Sequence, residues 1–525
     1  MNILITDPIE QRCVDILEAE KLHVDVHPGM PPKEIESAIV NYEALIVRSG
    51  TKVTGEIIGA GKKLKVIGRA GAGVDNIDVE AATRRGIIVM NTPGGNTVST
   101  AEHTISLMLA LARSIPQANV SLQQGVWDRK RYLGTELSGK TVGIVGVGKV
   151  GREVAKRCAA FDLAVIGYDP VLTREAATKM NIELVDFEEL LRRSDFITIH
   201  TPLNEETKGL LNRQSLVRCK PGVRIINCAR GGVVDESALL EALNSGHVAG
   251  AALDVFEHEP PGNHPLLHHP KVVATPHLGA STEEAQEKVA VQIAQQVADA
   301  LLGRGVSGSV NGDAIQMALR SELQPYLELA EKMGKLTAQL MQGKLRALTV
   351  TTCGDILEQS SSVLSAAVLK GIFESVLTEP VNYINAPVIA RERGIVPAEE
   401  KKKDHEVYVH LLRVTFETDK ETRSLAGTVF GRHNVRIVGI DTFHFEIKPE
   451  GYLLFYSNVD RPGMLAAVGA ILAEENINIG GVALGRYGIG TQALTIMSLD
   501  GPVSQPVLER ISKLNGVSDA KLVNL

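Results

Sequence analysis

The sequence predicts an α/β protein: two doubly wound parallel-sheet units, then an α+β segment, then a small βαββαβ module. Three observations carry this prediction. From residue 1 to about 300, short β-branched apolar runs alternate with longer amphipathic ones, the pattern of parallel strands covered by helices on both faces. A glycine-rich turn of phosphate-binding type opens only after four such runs, so a complete α/β unit precedes the one that carries it. From residue 451 onward, strand and helix patterns follow in the order βαββαβ, the ferredoxin-like arrangement.

In chain order, "NILIT", "ALIVR", "KVIG" and "IIVM" read as four strands of a flavodoxin-like sheet. "STAEHTISLMLALAR" (99–113) follows as a buried connecting helix, with Ser99 and Glu102 in capping-box spacing and Ile105, Met108, Leu109 and Ala112 at helical spacing. "TVGIVG", "AVIGY", "FITIH", "RIINCA", "AGAALD" and "KVVAT" read as strands of a second sheet, after which a helix at 282–304 returns to the first. The first unit is therefore expected to be discontinuous (1–98 with 283–304), enclosing a second at 99–282. A Gly/Ser-rich hinge at 303–313 opens a third unit, 305–450. There a helix-like "YLELAEKMGKLTAQLM", an exposed Lys-rich "EEKKKDHE" and a strand-like "VRIVGIDTFHFEIKP" carry no legible chemistry. The fourth unit is 451–525.

Apolar content of 44%, charged content of 22% and a net charge of -7 are those of an ordinary soluble globular chain and argue against a general nucleic-acid surface. An anionic ligand has to be met by local cations. Five scattered cysteines without a CxxC pair suggest neither a disulfide framework nor a thiolate zinc site. "MNILITDPIE" runs straight into a strand pattern, and no window approaches the apolar length of a membrane span. The expectation is a cytoplasmic protein.

"KTVGIVGVGKVGREVA" places Gly146, Gly148 and Gly151 in GxGxxG spacing between an apolar strand and a helical pattern. The first glycine allows the tight turn, the second lets backbone approach a pyrophosphate, and the third lets helix pack on strand. The next strand ends at Asp169, close to the spacing at which an acid accepts hydrogen bonds from the adenine ribose. No arginine immediately follows Asp169 to meet a 2′-phosphate, so a Rossmann unit binding NAD rather than NADP is expected. Upstream, "GRAGAGVDN" has Gly71 and Gly73 but Asn76 where a third glycine would stand. It suits a nest of N–H groups for a small anion better than a pyrophosphate loop.

Three further residues fall beyond the strand ends of this unit: Arg230 in "NCARGG", Glu259 in "DVFEHEPP" and His277 in "TPHLGAS". With these motifs in this order, the chain resembles the D-isomer-specific 2-hydroxyacid dehydrogenases over residues 1 to about 304. Residues 451–525 resemble the ACT-type regulatory module of the family's long form, with 305–450 in the place of its intervening domain. The resemblance implies that Arg230, Glu259 and His277 carry the reaction. The residue types suit it. Oxidising a secondary alcohol needs a base for the hydroxyl proton while hydride leaves carbon, and imidazole titrates near working pH. A carboxylate on the other ring nitrogen fixes the tautomer, and a guanidinium fork grips the substrate carboxylate. His277 is one of five histidines between 254 and 277. His258, His264, His268 and His269 read as loop or surface residues, and no metal is expected, because prolines at 260, 261, 265 and 270 break any helical ligand face.

The resemblance further implies NAD contacts at Lys149, Val150, Thr201, Pro202, Cys228, Ala229, Gly279 and Ala280, with Asp254 facing the nicotinamide carboxamide. For substrate it implies Arg48, Ser49 and Arg69, the Gly71 backbone, and Arg129 from a neighbouring subunit. Several guanidinium forks suit a dianionic tail. Relatives often carry threonine where this chain has Ala72. In the C-terminal module, Asn458, Asp460 and Asn478 are the positions implied for a serine effector between paired modules; alternatively "DRPG" is only a turn with Pro462 opening the helix. The implied activity is NAD-dependent oxidation of D-3-phosphoglycerate to 3-phosphohydroxypyruvate, the first step of L-serine biosynthesis, in a homo-oligomer (dimer or tetramer). The rivals are a hydroxypyruvate or glyoxylate reductase and a non-catalytic NADH sensor.

Overall fold

The computed structural model describes residues 1–525 apart from Leu319 and Asp404 and the side chains of Asp313 and Gln316. The N-terminal sheet consists of β1 (Asn2–Ile5), β2 (His23–Val26), β3 (Ala44–Val47), β4 (Val66–Arg69) and β5 (Ile88–Asn91). It is parallel throughout, in the order β2-β1-β3-β4-β5. Its central strands are buried on both faces, which is why they read as continuous apolar runs. β2, "HVDV", is the fifth strand that apolar runs did not reveal. It lies at the sheet edge, half exposed, and alternates polar with apolar residues.

The helix Glu283–Leu301 packs on this first sheet. Thr282 caps it, its side chain accepting from the Ala285 N–H at 3.2 Å, and two glutamates occupy the positive end of its dipole. Val289, Ala290, Ile293, Ala294 and Val297 share one core with Ile3, Ile5, Ile46 and Val66. A Cβ at Gly68 of β4 would lie 2.7 Å from Val297 Cγ2, so glycine sets how closely the helix approaches.

The second sheet is β6 (Thr141–Val145), β7 (Ala164–Tyr168), β8 (Glu183–Leu184), β9 (Phe196–Ile199), β10 (Val223–Asn227), β11 (Val248–Leu253) and β12 (Val272–Ala274). All are parallel, ordered β8-β7-β6-β9-β10-β11-β12. The strand order reverses between β6 and β9, the switch point beyond which ligands bind in such sheets. The two-residue β8 is too short to leave a sequence signal. The connecting helix runs over Thr97–Ala112, beginning two residues before the expected start. Ser99 therefore lies inside the helix and forms no capping box. It is buried, and its hydroxyl donates to the Gly279 carbonyl at 2.8 Å, while Glu102 pairs with Arg157. A tertiary acceptor has taken the side chain that local spacing assigned to the cap.

The third sheet is mixed, in the order 398–402, 345–353, 411–418, 422–430, 434–440, 443–447; only its first pair is parallel. Helices Gln324–Leu340 and Ser361–Glu374 cross over it, and a Cβ at Gly334 or Gly371 would overlap backbone of the opposite helix. The Lys-rich stretch is more than a solvated run. Ala398–Lys402 forms an exposed edge strand, where lysines discourage further pairing.

The C-terminal sheet has four antiparallel strands, Tyr452–Val459, Ile479–Arg486, Gln492–Leu499 and Val517–Asn524, with helices Met464–Glu474 and Gln505–Ser512 on one face. Pro462 does not open the first of these helices. It sits in a turn ahead of Gly463, whose φ of 91° only glycine adopts readily, and the helix begins at Met464.

Candidate active site

The cofactor loop leaves the end of β6. Gly146 takes φ 89°, a Cβ at Gly151 would overlap the Gly146 carbonyl, and nothing lies within 4 Å of where a Cβ at Gly148 would be. The middle glycine thus opens the loop at the N-terminus of the helix Lys149–Ala160, where a diphosphate is met by free N–H groups. Asp169, at the end of β7, accepts from the N–H groups of Val147 (2.9 Å), Val171 (2.9 Å) and Leu172 (3.0 Å). Burial pushes its carboxyl up, but these donors and the nearby Arg152 charge outweigh it, and the pKa is lowered. Beside the loop, the buried Thr201 hydroxyl has no partner among the described residues, an orphaned group that a ligand would satisfy. These features fit a dinucleotide.

His277 and Glu259, 18 residues apart, meet with Nδ1 to Oε2 at 2.7 Å. Glu259 Oε1 accepts from the Phe256 N–H at 3.1 Å, which fixes the carboxylate plane. Burial raises the Glu259 carboxyl, yet the His277 hydrogen bond and charge and the Phe256 donor prevail and lower it. With Nδ1 donating to Glu259, Nε2 is the nitrogen left to accept a proton, and it has no partner among the described residues. His277 itself adopts φ 55°, held there by its own N–H between the carbonyls of Asp254 and Thr275, each at 3.0 Å.

Asp254 is committed to protein partners. It is 1% exposed, and its two oxygens accept from Leu278 N–H (2.7 Å), Gly279 N–H (2.8 Å) and the Thr275 hydroxyl (2.6 Å), with His103 Nε2 at 3.1 Å. The strand-end acid was drawn inward by the turn it caps, so it acts on the segment that carries His277. The Gly279 carbonyl is held in turn by Ser99 and Thr100. Cys228 also points into the core, and burial drives its thiol pKa up to about 12. Asn227 shapes the backbone at 228–230 by bonding Ala229 N–H and the Arg230 carbonyl.

Arg230 leaves the end of β10 and reaches the loop after β4, where its Nε donates to Asp75 Oδ2 at 2.9 Å. Arg69 lies over the same loop: a Cβ at Gly71 would overlap Arg69, and one at Gly73 would overlap Arg230. Arg69 is mostly buried with an unpartnered Nε, and burial first, then the charges of Arg230 and Arg48, push its pKa down to about 10. Arg48 is set by Asp7, which accepts its backbone N–H, and its side chain donates to the Pro8 carbonyl at 3.2 Å. Asn76, standing where a third glycine would be, donates to the carbonyls of Arg48 (2.7 Å) and Thr51 (2.6 Å). The glycine-poor motif is therefore a cross-braced loop with two arginines over it. Ser49 and Arg129 are exposed, and Arg129 makes no ion pair within the chain among the described residues.

Asp75 and His103 are site residues that sequence reasoning missed. His103 lies among the polar residues of the first half of its helix and, like Asp75, a lone acid in a glycine turn, carried no distinguishing signal. Elsewhere, the histidines near His277 are loop residues bonded to Glu236, Asn263 and local backbone, and among the described residues no three metal-ligating side chains converge.

In the C-terminal module, Asp460 pairs with Arg486 at 3.4 Å, and the exposed Asn478 donates to Asp500 at 2.7 Å. Asn458 departs from expectation. It is 4% exposed, accepting from the Thr495 hydroxyl and donating to the Val459 carbonyl, so it shapes a strand end and presents nothing outward.

A dinucleotide loop, a carboxylate-oriented histidine and arginines over a cross-braced loop define an NAD-binding dehydrogenase of the 2-hydroxyacid class. The family models agree: D-isomer specific 2-hydroxyacid dehydrogenase, NAD binding domain, over 105–279; D-3-phosphoglycerate dehydrogenase intervening domain over 322–441; and ACT domain over 451–516. D-3-phosphoglycerate dehydrogenase of Archaeoglobus fulgidus is 44% identical, and that of Methanocaldococcus jannaschii 42%, each covering 100% of both chains. A solved glyoxylate reductase from Paecilomyes thermophila superposes on 59% of this chain and 98% of its own, with 32% identity and a TM-score of 0.55. The chain belongs to the D-3-phosphoglycerate dehydrogenase family, in its long form with intervening and ACT domains.

Proposed function

We infer that this chain oxidises D-3-phosphoglycerate to 3-phosphohydroxypyruvate with NAD, the first step of L-serine biosynthesis. The observation that carries the reading is the 2.7 Å His277–Glu259 pair; it is supported by Arg230 and Arg69, which meet over the Gly71–Gly73 loop. Bound NAD supplies the acceptor for the hydride that leaves C2. His277 Nε2 takes the hydroxyl proton as the carbonyl forms, Glu259 stabilises the imidazolium through Nδ1, and Arg230 holds the substrate carboxylate. In reverse His277 is the acid. Arg69 and Arg48 take the phosphate end, and two guanidinium groups at one loop favour a dianionic tail over a bare glyoxylate. We take the first unit to be 1–98 with 283–304, the second 99–282, the third 305–450 and the fourth 451–525.

Oligomerisation fits the exposed apolar residues Ile115, Leu122, Val126, Trp127 and Leu133, which flank Arg129 and suit a second copy that would carry Arg129 to a neighbouring cleft. Serine as effector rests on Asp460 and Asn478. No helix among the described residues is long and apolar enough to cross a membrane, and the five buried free thiols suit a reducing cytoplasm.

A steady-state assay with D-3-phosphoglycerate and NAD, with and without L-serine, tests the activity and its regulation together. Equal turnover of phosphorylated and unphosphorylated hydroxypyruvate would sink the choice of substrate. His277→Ala is expected to lower kcat by about 10²- to 10⁴-fold while NADH binding is retained. Unchanged turnover would favour the sensor reading instead.

A further inference from the structure

Two carboxylates stand among the cleft arginines, and they differ in kind. Asp7 is 5% exposed and holds the Arg48 N–H, the Thr51 N–H and the Thr51 hydroxyl, so it is part of the loop's framework. Asp75 has a side chain 64% exposed, and its one hydrogen-bond partner among the described residues is Arg230, across the cleft. The loop around it does not depend on this bond, because Asn76 and Asn91 brace it from Arg48, Thr51 and Ala72.

The geometry at Arg230 gives the single bond a consequence. Nη1 donates one of its two N–H groups to the Ala229 carbonyl at 2.7 Å. The side-on edge that meets a carboxylate with two prongs is Nε with Nη2, and Asp75 holds Nε. We propose, on the reading that Arg230 grips the substrate carboxylate, that Asp75 is an internal competitor for that carboxylate. Binding exchanges Asp75 Oδ2 for a substrate oxygen on Nε, and the freed Asp75 turns to solvent. Asp75 is then a positioning and specificity residue. It admits only ligands whose own carboxylate can replace it on Arg230, at the expense of affinity. The low burial of Asp75 makes the exchange inexpensive, since the displaced carboxylate is rehydrated at once.

Graded variants test this in the full-length enzyme. Asp75→Asn and Asp75→Ala are expected to lower the KM for D-3-phosphoglycerate by about two- to tenfold, Ala more than Asn. The Ki of oxalate, a small carboxylate probe, should fall by the same factor. kcat should stay within about twofold and the Kd for NADH should not move, while Asp75→Glu, which keeps a carboxylate in reach, should behave like the parent. An unchanged or raised KM in Asp75→Ala, or a loss of kcat larger than the change in KM, overturns the proposal. If the parent enzyme does not turn over D-3-phosphoglycerate, the functional reading fails instead. Oxalate titration of the NADH complex, followed by NADH fluorescence, then still decides whether removing Asp75 tightens carboxylate binding.

Discussion

At the scale of single residues, the site depends on how acids are spent. Glu259 keeps one oxygen on His277 and one on backbone, whereas Asp254 is wholly consumed inside the protein, pinning the turn from which His277 projects. Burial raises the Asp254 carboxyl, but His103, Thr275 and the Leu278 N–H more than offset it, so its folded pKa lies below the ordinary 3.8. The folded state therefore binds this proton less readily than the unfolded chain. The stability it contributes is complete above pH 3.8 and is lost as pH falls through the folded value. Asp254→Asn should cost about 3 kcal/mol at pH 7, by urea unfolding, and the gap from the parent should narrow below pH 3.8. It should also reduce kcat, because the Leu278 and Gly279 N–H groups lose their ionised acceptor.

At the scale of elements, close approach decides what each helix can do. Gly334 and Gly371 put the helices Gln324–Leu340 and Ser361–Glu374 nearly backbone to backbone, and a methyl at 334 would strike the Val368 carbonyl. Gly334→Ala should destabilise the intervening unit by about 1 to 3 kcal/mol, appearing as an early transition in differential scanning calorimetry, with NADH binding preserved. The edge of the first sheet shows a different device. The linker after the helix Glu283–Leu301 runs antiparallel to β5, and Asn311 bonds Val89 N–H, the Ile87 carbonyl and Thr83. An exposed parallel edge is covered by the same chain segment that leads to the regulatory half.

At the scale of the whole molecule, the ACT-type sheet is buried on both faces. Leu454, Tyr456 and Met497 face its own helices, while Leu453, Phe455, Leu494 and Ile496 belong to the core of the intervening unit. The intervening and ACT units thus share one core, whereas among the described residues the first unit meets the intervening one through groups such as Ile384 in the core with Ile88 and Met90, Asn382 on the Gly86 carbonyl, and Arg84 on Glu392. Truncation to residues 1–312 should leave a folded unit that binds NADH. Truncation to 1–450 should expose the Leu453 side of the shared core, bind hydrophobic dye and aggregate on size-exclusion chromatography.

The central strands of both parallel sheets, the dinucleotide loop and the proposed trio Arg230, Glu259 and His277 were legible in the sequence alone. Each of these is written in local periodicity or in a short motif whose spacing the chemistry dictates: buried strands need apolar runs, a pyrophosphate turn needs glycines at fixed steps. Only the tertiary structure decided which partner each polar side chain would find. Ser99 left its cap for Gly279, Asp254 bonded the His277 segment, Asn458 was closed off by Thr495, and Asp75 met Arg230 over 155 residues of chain. The edge strands β2 and 398–402 and the core shared by 345–447 and 451–525 were equally hidden. Edge strands lack the apolar signature of buried ones, and an interface between two sheets is recorded in neither sheet's own alternation. Hydrogen bonds and packing across such distances depend on where the folded backbone brings two groups together, and local sequence holds no trace of that.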